Sequence, residues 1–134
     1  MNKVINTSGK RKFAIARATL KAGKGIVTVN HLLLDLYQPK MYRMKIREPL
    51  LFAGDLVGGV DIDVDIKGGG IASQADAARL AIAKALVEYS KNDKLKETFL
   101  KYDRTLLVAD VRRKETHKPN RHGKARAKVA KSYR

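Results

Sequence analysis

From Val111 to Arg134 ten residues are basic (Arg112, Arg113, Lys114, Lys118, Arg121, Lys124, Arg126, Lys128, Lys131 and Arg134) and one, Glu115, is acidic. The only large apolar side chains in that stretch are Val111, Val129 and Tyr133. Three such groups cannot bury enough surface to offset the entropy of ordering two dozen residues, so this segment is expected to be disordered alone in water. A core must therefore come from what precedes it. The sequence divides into a globular body, residues 1–110, and an extended basic tail, residues 111–134, and the body has the length of one domain that needs no disulfide or metal.

The charge of the chain follows the same division. Lys and Arg number 29 against 13 Asp and Glu, a formal net charge of +16. The tail carries +9 of it and the longer body +7. Ten cations packed together repel one another, and their compact use requires a counter-charge; dense arginine suits bidentate contact with phosphate. Pro119, Gly123 and the alanines 125, 127 and 130 keep the tail slim enough to thread between helices of a folded RNA. An anionic membrane is the poorer partner, because a surface helix needs a large apolar face that the tail lacks. The first 24 residues repeat the bias mildly, with seven bases and no acid. The candidate nucleic-acid contacts are Lys10, Arg11, Lys12 and Arg17 in that segment and Arg112, Arg113, Lys114, Arg121, Lys124, Arg126 and Lys128 in the tail.

Other classes recede. No cysteine is present, which removes zinc ribbons, thiol catalysis and disulfide scaffolds. His31, His117 and His122 are too scattered for a metal site, and the last two sit among cations that discourage metal binding and protonation alike. No apolar run approaches the roughly 18 residues of a transmembrane helix, and Met1 to Lys12 has no apolar signal core, so a soluble, cytoplasmic chain is expected.

Within the body, β-branched and aromatic residues alternate with alanine from Phe13 to Leu20, predicting a strand; Gly23 and Gly25 make a turn, and Ile26 to Val29 reads as the return strand of a hairpin. The segment from Leu32 to Gly54 mixes helical spacing with Pro39 and Pro49, each suited to a first helical turn, so two short helices are expected. Val60, Ile62, Val64 and Ile66 alternate with Asp61, Asp63, Asp65 and Lys67, the clearest half-buried strand in the chain. After Gly68-Gly69-Gly70, Ile71 to Ser90 predicts a long helix with Ala75, Ala78, Ile82, Leu86 and Tyr89 along one stripe. Asn92 can cap a further helix to Tyr102, and Leu106-Leu107-Val108 reads as a last strand.

Two motifs carry possible chemistry. Asp61-x-Asp63-x-Asp65 resembles the opening of a calcium loop, but Ile66 stands where glycine is required and Ala72 where glutamate is required. Two carboxylates on one strand could serve as acid and base, yet no nucleophile accompanies them, and a solvated strand face explains them better. The triple glycine could cradle an anion at a helix N-terminus. It is not followed by Gly-Lys-Ser or Gly-Lys-Thr, and Gly68-x-Gly70-x-x-Ser73 breaks the dinucleotide fingerprint at its third glycine. A tight strand-to-helix turn is the preferred reading, and a nucleic-acid phosphate the next. Tyr37 and Tyr42 are assigned to core packing, and His31 to a turn after Val29.

Certain residues in order carry more information than composition: Gly9-Lys10-Arg11-Lys12-x-Ala14-x-Ala16, Val29-Asn30, Val60-Asp61-Ile62, Lys67-Gly68-Gly69-Gly70, Tyr102-Asp103-Arg104-Thr105-Leu106-Leu107-Val108-Ala109-Asp110 and the ending Lys131-Ser132-Tyr133-Arg134. This set resembles the small-subunit ribosomal protein nine family across nearly the whole chain. The final Ser-Tyr-Arg is similar to the archaeal and eukaryotic branch rather than to the bacterial Ser-Lys-Arg, and the short N-terminus favours the archaeal side. Val111 stands where the family usually has proline, and His117-Lys118-Pro119-Asn120 replaces a commoner Lys-Lys-aromatic-Gly run.

The resemblance implies an α/β body with a mixed four-stranded sheet, helices packed on it and a left-handed βαβ crossover, placed in the head of the small ribosomal subunit beside neighbouring ribosomal proteins. It implies ribosomal RNA as the partner of Arg112, Arg113, Lys124, Arg126 and Lys128, and peptidyl-site transfer RNA as the partner of Lys131, Ser132, Tyr133 and Arg134. It implies no enzyme activity and no cofactor. The readings that compete with it are a basic protein that compacts nucleic acid outside the ribosome and a small phosphotransferase using the glycine turn.

Overall fold

The computed structural model describes residues 3–133. Five strands form one mixed sheet: β1 (Ile5–Arg11), β2 (Ala14–Ala22), β3 (Val27–Val29), β4 (Leu32–Leu33) and β5 (Val60–Lys67), in the order β1-β2-β5-β3-β4. Helix α1 (Lys40–Ala53) stands between β4 and β5 in the chain, and α2 (Ile71–Ser90) and α3 (Asp93–Tyr102) follow β5. Short 3-10 turns occupy Leu34–Leu36, Gly54–Gly59 and Arg104–Leu106. β3 and β5 are parallel neighbours joined through β4 and α1, while the other pairings are antiparallel.

The sheet is covered on one face. β2 turns Ala14, Ala16, Ala18 and Leu20 inward and β5 turns Val60, Ile62, Val64 and Ile66 to the same side, all buried. The opposite face presents Ile15, Arg17, Lys21, Asp63, Asp65 and Lys67 to solvent. The expected alternation of β5 is therefore realised.

α2 fills the covered face, and its composition explains how closely it can lie. The buried stripe is broader than periodicity predicts, taking in Ala75, Ala77, Ala78, Ala81, Ile82, Ala85 and Leu86, with Ala83 buried against Phe99 and Leu106 on the far side. Small side chains let the helix axis approach the strands. At Gly9 the approach is extreme: a Cβ there would be driven into the Ala77 carbonyl and would sit 2.8 Å from the Ala81 amide nitrogen. Thr7 completes the seam by donating its hydroxyl to the Ala81 carbonyl at 2.8 Å.

That seam accounts for β1, a strand without hydrophobic alternation. Its sequence, INTSGKR, buries only Ile5 and Gly9, and the partner that makes it a strand is α2 together with β2. The hairpin made by β2 is accordingly β1–β2, turning at Lys12 and Phe13. The expected pairing of Ile26–Val29 with the preceding strand does not occur, because β5 lies between β2 and β3. Asp61 on β5 braces the loop that crosses from β2 to β3, accepting hydrogen bonds from the amides of Lys24 (2.8 Å) and Ile26 (3.0 Å), while the Gly23 amide donates to the Gly59 carbonyl. The sheet thus has five strands rather than four.

Two further expectations are corrected. Leu32 to Gly54 gives one helix of 14 residues and a preceding 3-10 turn, with Pro39 as the α1 N-cap and Pro49 inside the helix. Proline there removes one amide donor, and the helix runs through it with the ring of Pro49 buried beside Ile46 and Leu50. Leu106 does not begin a strand. Asp103 accepts from the Thr105 amide and starts a 3-10 turn that inserts Leu106, fully buried, beside Phe99 and Ala83. Asn92 caps α3 as expected, accepting from the Lys94 amide at 3.0 Å.

Local geometry also settles the smaller motifs. Gly68 and Gly69 have φ of +76° and +67°, and Cβ atoms there would lie 2.5 Å from the Phe13 carbonyl oxygen and 2.8 Å from the Ala14 nitrogen. The glycines serve a tight turn against the β1–β2 hairpin, so the space a nucleotide loop would need on that side is filled by the chain's own backbone. Asn30 and His31 both have positive φ and form the two-residue turn between β3 and β4. Tyr37 and Tyr42 pack against the core.

Candidate nucleic-acid interface

No residue from Leu107 to Tyr133 is in a helix or strand. The polypeptide nevertheless leaves the body by a defined route. Asp110 forms an ion pair with Arg11 of β1 at 3.4 Å and receives the Arg112 guanidinium at 2.8 Å. Arg11 also donates to the Arg112 carbonyl at 3.2 Å, and the Arg113 guanidinium lies 5.2 Å from the Phe13 ring centre. Hydrogen bonds from the Arg112 side chain and amide, with the charge of Arg11 added, hold the Asp110 carboxyl down at about 2. The β1–β2 turn and the root of the basic segment are thereby joined.

Behind this corner sits an ion cluster that ties three helical elements together. Arg79 of α2, only 7% exposed, pairs with Glu48 of α1 at 2.5 Å and with Asp103 at 3.1 Å, and donates to the Thr105 hydroxyl at 3.2 Å. Burial works against ionising Asp103, but hydrogen bonds from Thr105 and Arg79 outweigh it and keep its carboxyl below the usual range. Asp76 pairs with Lys45 at 2.6 Å and lies 4.0 Å from Arg11.

Several residues singled out in the sequence meet at this corner. Lys10, Arg11, Lys12, Arg112 and Arg113 lie together there, with Lys114 next in the chain, and all but Arg11 are exposed. Their cationic capacity is unequal, since Arg11 and Arg112 share Asp110. Arg17 lies apart, on the open sheet face opposite Ser8 and Asp65 in the strand register. Farther along, the chain turns back: the Ala130 amide donates to the Asn120 carbonyl at 2.8 Å and Arg121 donates to the Ala127 carbonyl at 3.0 Å. Lys118 and Arg126 both pair with Glu115, at 2.9 and 2.6 Å, which lowers the carboxyl of that residue. Lys124, Lys128, Lys131, Ser132 and Tyr133 are exposed, and Arg134 lies outside the described residues.

Asp110 and Arg79 were not identifiable as organising residues from the sequence. Asp110 offered one signal, an acid standing two residues before Arg112 at the head of a basic run; Arg79 offered a base, like Lys84, in an alanine-rich helix. The acidic strand has structural partners of its own, as Asp61 holds the loop amides and Asp63 accepts the Thr28 hydroxyl. Among the described residues, no group of three His, Cys, Asp or Glu side chains could hold a metal ion, and no helix is long and apolar enough to cross a membrane.

An alanine-tight α/β body from whose ion-paired corner a run of arginine and lysine departs defines a small basic protein of the polyanion-binding class. A family model described as ribosomal protein S9/S16 matches residues 9–134. The chain is 53% identical over 133 residues to a protein of Methanococcus maripaludis strain C7 named small ribosomal subunit protein uS9, covering 98% of this chain and 99% of the relative. Identity and coverage are the same for a protein of that name from Methanococcus vannielii. The chain belongs to the ribosomal protein S9/S16 family.

Proposed function

We infer that the chain is a structural constituent of the small ribosomal subunit, acting in the cytoplasm as part of the ribosome through contacts with ribosomal RNA and neighbouring ribosomal proteins. The observation that carries this reading is end-to-end similarity to relatives named small ribosomal subunit proteins, spanning body and basic segment alike. It displaces both alternatives: the phosphotransferase, whose glycine turn is packed against β2, and the free-standing nucleic-acid compactor. The body recognises RNA through phosphate and 2'-hydroxyl contacts, and no bond is made or broken.

The finer reading keeps the division at residue 110. Residues 1–110 fold as the body, whose βαβ crossover is left-handed, and residues 111–134 become an extended tail on RNA in the subunit head. Arg112, Arg113, Lys114, Arg121, Lys124, Arg126 and Lys128 meet ribosomal RNA in the tail, and Lys10, Arg11, Lys12 and Arg17 meet it from the body. The exposure of most of these side chains supports that use. Lys131, Ser132, Tyr133 and Arg134 reach the peptidyl-site transfer RNA.

The test separates assembly from transfer-RNA binding. Replacing Arg112, Arg113 and Lys114 with alanine should weaken incorporation into the subunit, because each removes a potential phosphate contact. Removing Lys131 to Arg134 should leave incorporation nearly intact and weaken retention of transfer RNA in the peptidyl site by about 1 kcal/mol, the size of a charged hydrogen bond at an exposed site. Full occupancy with unchanged transfer-RNA affinity would remove the tip from that role.

A further inference from the structure

A cleft of about 590 Å³ opens beside the β1–β2 corner, bounded by β1, the middle of α1, the first turns of α2, the end of α3 and the root of the basic segment. Its size falls within the roughly 300–1,000 Å³ of small-ligand sites. The wall carries four carboxylates, Glu48, Asp76, Asp103 and Asp110, against five cations. A site for phosphate alone would have no use for carboxylates, which repel it. Ionised carboxylates only accept hydrogen bonds, and the N–H groups that RNA can offer them are those of its bases.

Two further observations point to a base. Tyr102, the last residue of α3, lines the cleft and is 56% exposed. Its ring lies 4.7 Å from that of Phe52, which in turn meets the buried Phe99 edge-on at 6.1 Å. Aromatic contacts therefore hold an exposed ring in the wall of a polar cleft. The second observation is Arg79, buried in the same wall, whose Nε has no hydrogen-bond partner among the described residues although its other nitrogens engage Glu48, Asp103 and Thr105. Buried polar groups are rarely left unmet, and one in the wall of a cleft marks a place for a polar ligand. Glu48 is engaged by Arg79 alone among the described residues, so its carboxylate has acceptor capacity left. Lys10, in the lining, is exposed and has no ion pair among the described residues.

We propose that this cleft takes one unpaired guanine of ribosomal RNA, turned out of its helix, with the base stacked on Tyr102, its Watson–Crick edge against Glu48 and its phosphate on Lys10. Of the four RNA bases guanine alone presents two adjacent N–H donors on that edge, N1–H and the N2 amino group, and they match the two oxygens of a carboxylate. Stacking on an aromatic ring together with edge contacts is how proteins read splayed bases in RNA. The inference rests on the small-subunit reading and adds a base-specific contact to the phosphate and 2'-hydroxyl contacts of the body.

The test uses small subunits assembled with the full chain, wild type or variant, and checked for normal stoichiometry. Kethoxal attacks N1 and N2 of unpaired guanine, the edge that Glu48 covers, and dimethyl sulfate reports unpaired adenine and cytosine in the same sample. One guanine should be protected from kethoxal in wild-type subunits and become about tenfold more reactive with Tyr102→Ala, the size of one lost base–aromatic stack. Tyr102→Phe, which keeps the ring, should preserve the protection, and Glu48→Gln, which replaces an acceptor oxygen by a donor, should expose the same guanine. A photoreactive benzophenone side chain at position 102 should crosslink to that nucleotide. No guanine whose reactivity follows the ring at 102, a dependence on that ring found at adenine or cytosine instead, or crosslinking from 102 to a protein would each overturn the guanine site. Failure of the wild-type chain to enter subunits would instead contradict the ribosomal reading and the proposal with it.

Discussion

Residues 107–133 carry Lys and Arg at about twice the density of residues 5–106, and the two regions use them in opposite ways. In the first region the charged groups that matter are internal: Arg79 is buried between Glu48 and Asp103, and Asp76 holds Lys45. The surrounding order comes from apolar contact, with Leu20, Ile46, Ile62, Ile82, Leu86 and Phe99 fully buried. In the second region Leu107 is half-buried and every residue from Val111 to Asn120 is exposed; the links are ion pairs and isolated hydrogen bonds. Folding free energy is concentrated where side chains leave water, and free cationic charge where they do not. The lesson is that the buried apolar side chains and the densest run of exposed cations are placed on different stretches of one chain.

Amide exchange should separate the regions most widely. In RNA-free protein, amides of Ala75 to Leu86 should open only with the whole body, whereas those of residues 114–133, beyond the pinned root, should exchange near the rate of an unstructured peptide, a difference of several orders of magnitude. Equal protection would erase the comparison. Next in size is a paired truncation: Leu86→Ala should cost about 3 kcal/mol in denaturant unfolding, as for other buried leucines, and Val129→Ala should change stability by less than about 0.5 kcal/mol. A large effect at Val129 would place a second core in the tail.

Only the first of these regions was legible as structure in the sequence, and then only where the signal was local. β5 alternates, α2 carries its stripe, Asn92 caps α3, and the glycines at 68 and 69 mark a turn; each depends on neighbours in the chain. β1 was invisible because its partner is α2: nothing in INTSGKR shows that Gly9 lies against Ala77 and Ala81. Strand order escaped for the same reason, since Asp61 reaches back 37 residues to hold the Lys24 amide. Leu106 looked like strand because an apolar run has no direction until a pocket beside Phe99 supplies one. The basic segment was legible from composition, whereas its root, where Asp110 meets Arg11 at 3.4 Å, required the fold.

That root gives the smallest effect and sharpens the boundary between the regions. The Asp110 carboxyl is depressed from 3.8 to about 2 in the folded chain. Its contribution to docking the segment is therefore full above pH 4 and is lost as pH falls toward 2. Carboxyl titration followed by NMR should place Asp110 near 2, and Asp110→Asn should speed exchange at Arg112 and Arg113 without altering the exchange of α2. A normal titration at Asp110 would mean that the segment leaves the body unpinned.

The central claim is that residues 111–134 are an electrostatic anchor on RNA and the rest a body that positions them. The salt dependence of affinity for small-subunit ribosomal RNA, compared between the full chain and a chain ending at Asp110, tests it most directly. Each lost phosphate contact should remove about 0.7 to 0.9 from the log-log slope, so the loss of several contacts should flatten the slope by several units while amide exchange in α2 is unchanged. A slope that stays the same after the basic segment is removed would contradict the account.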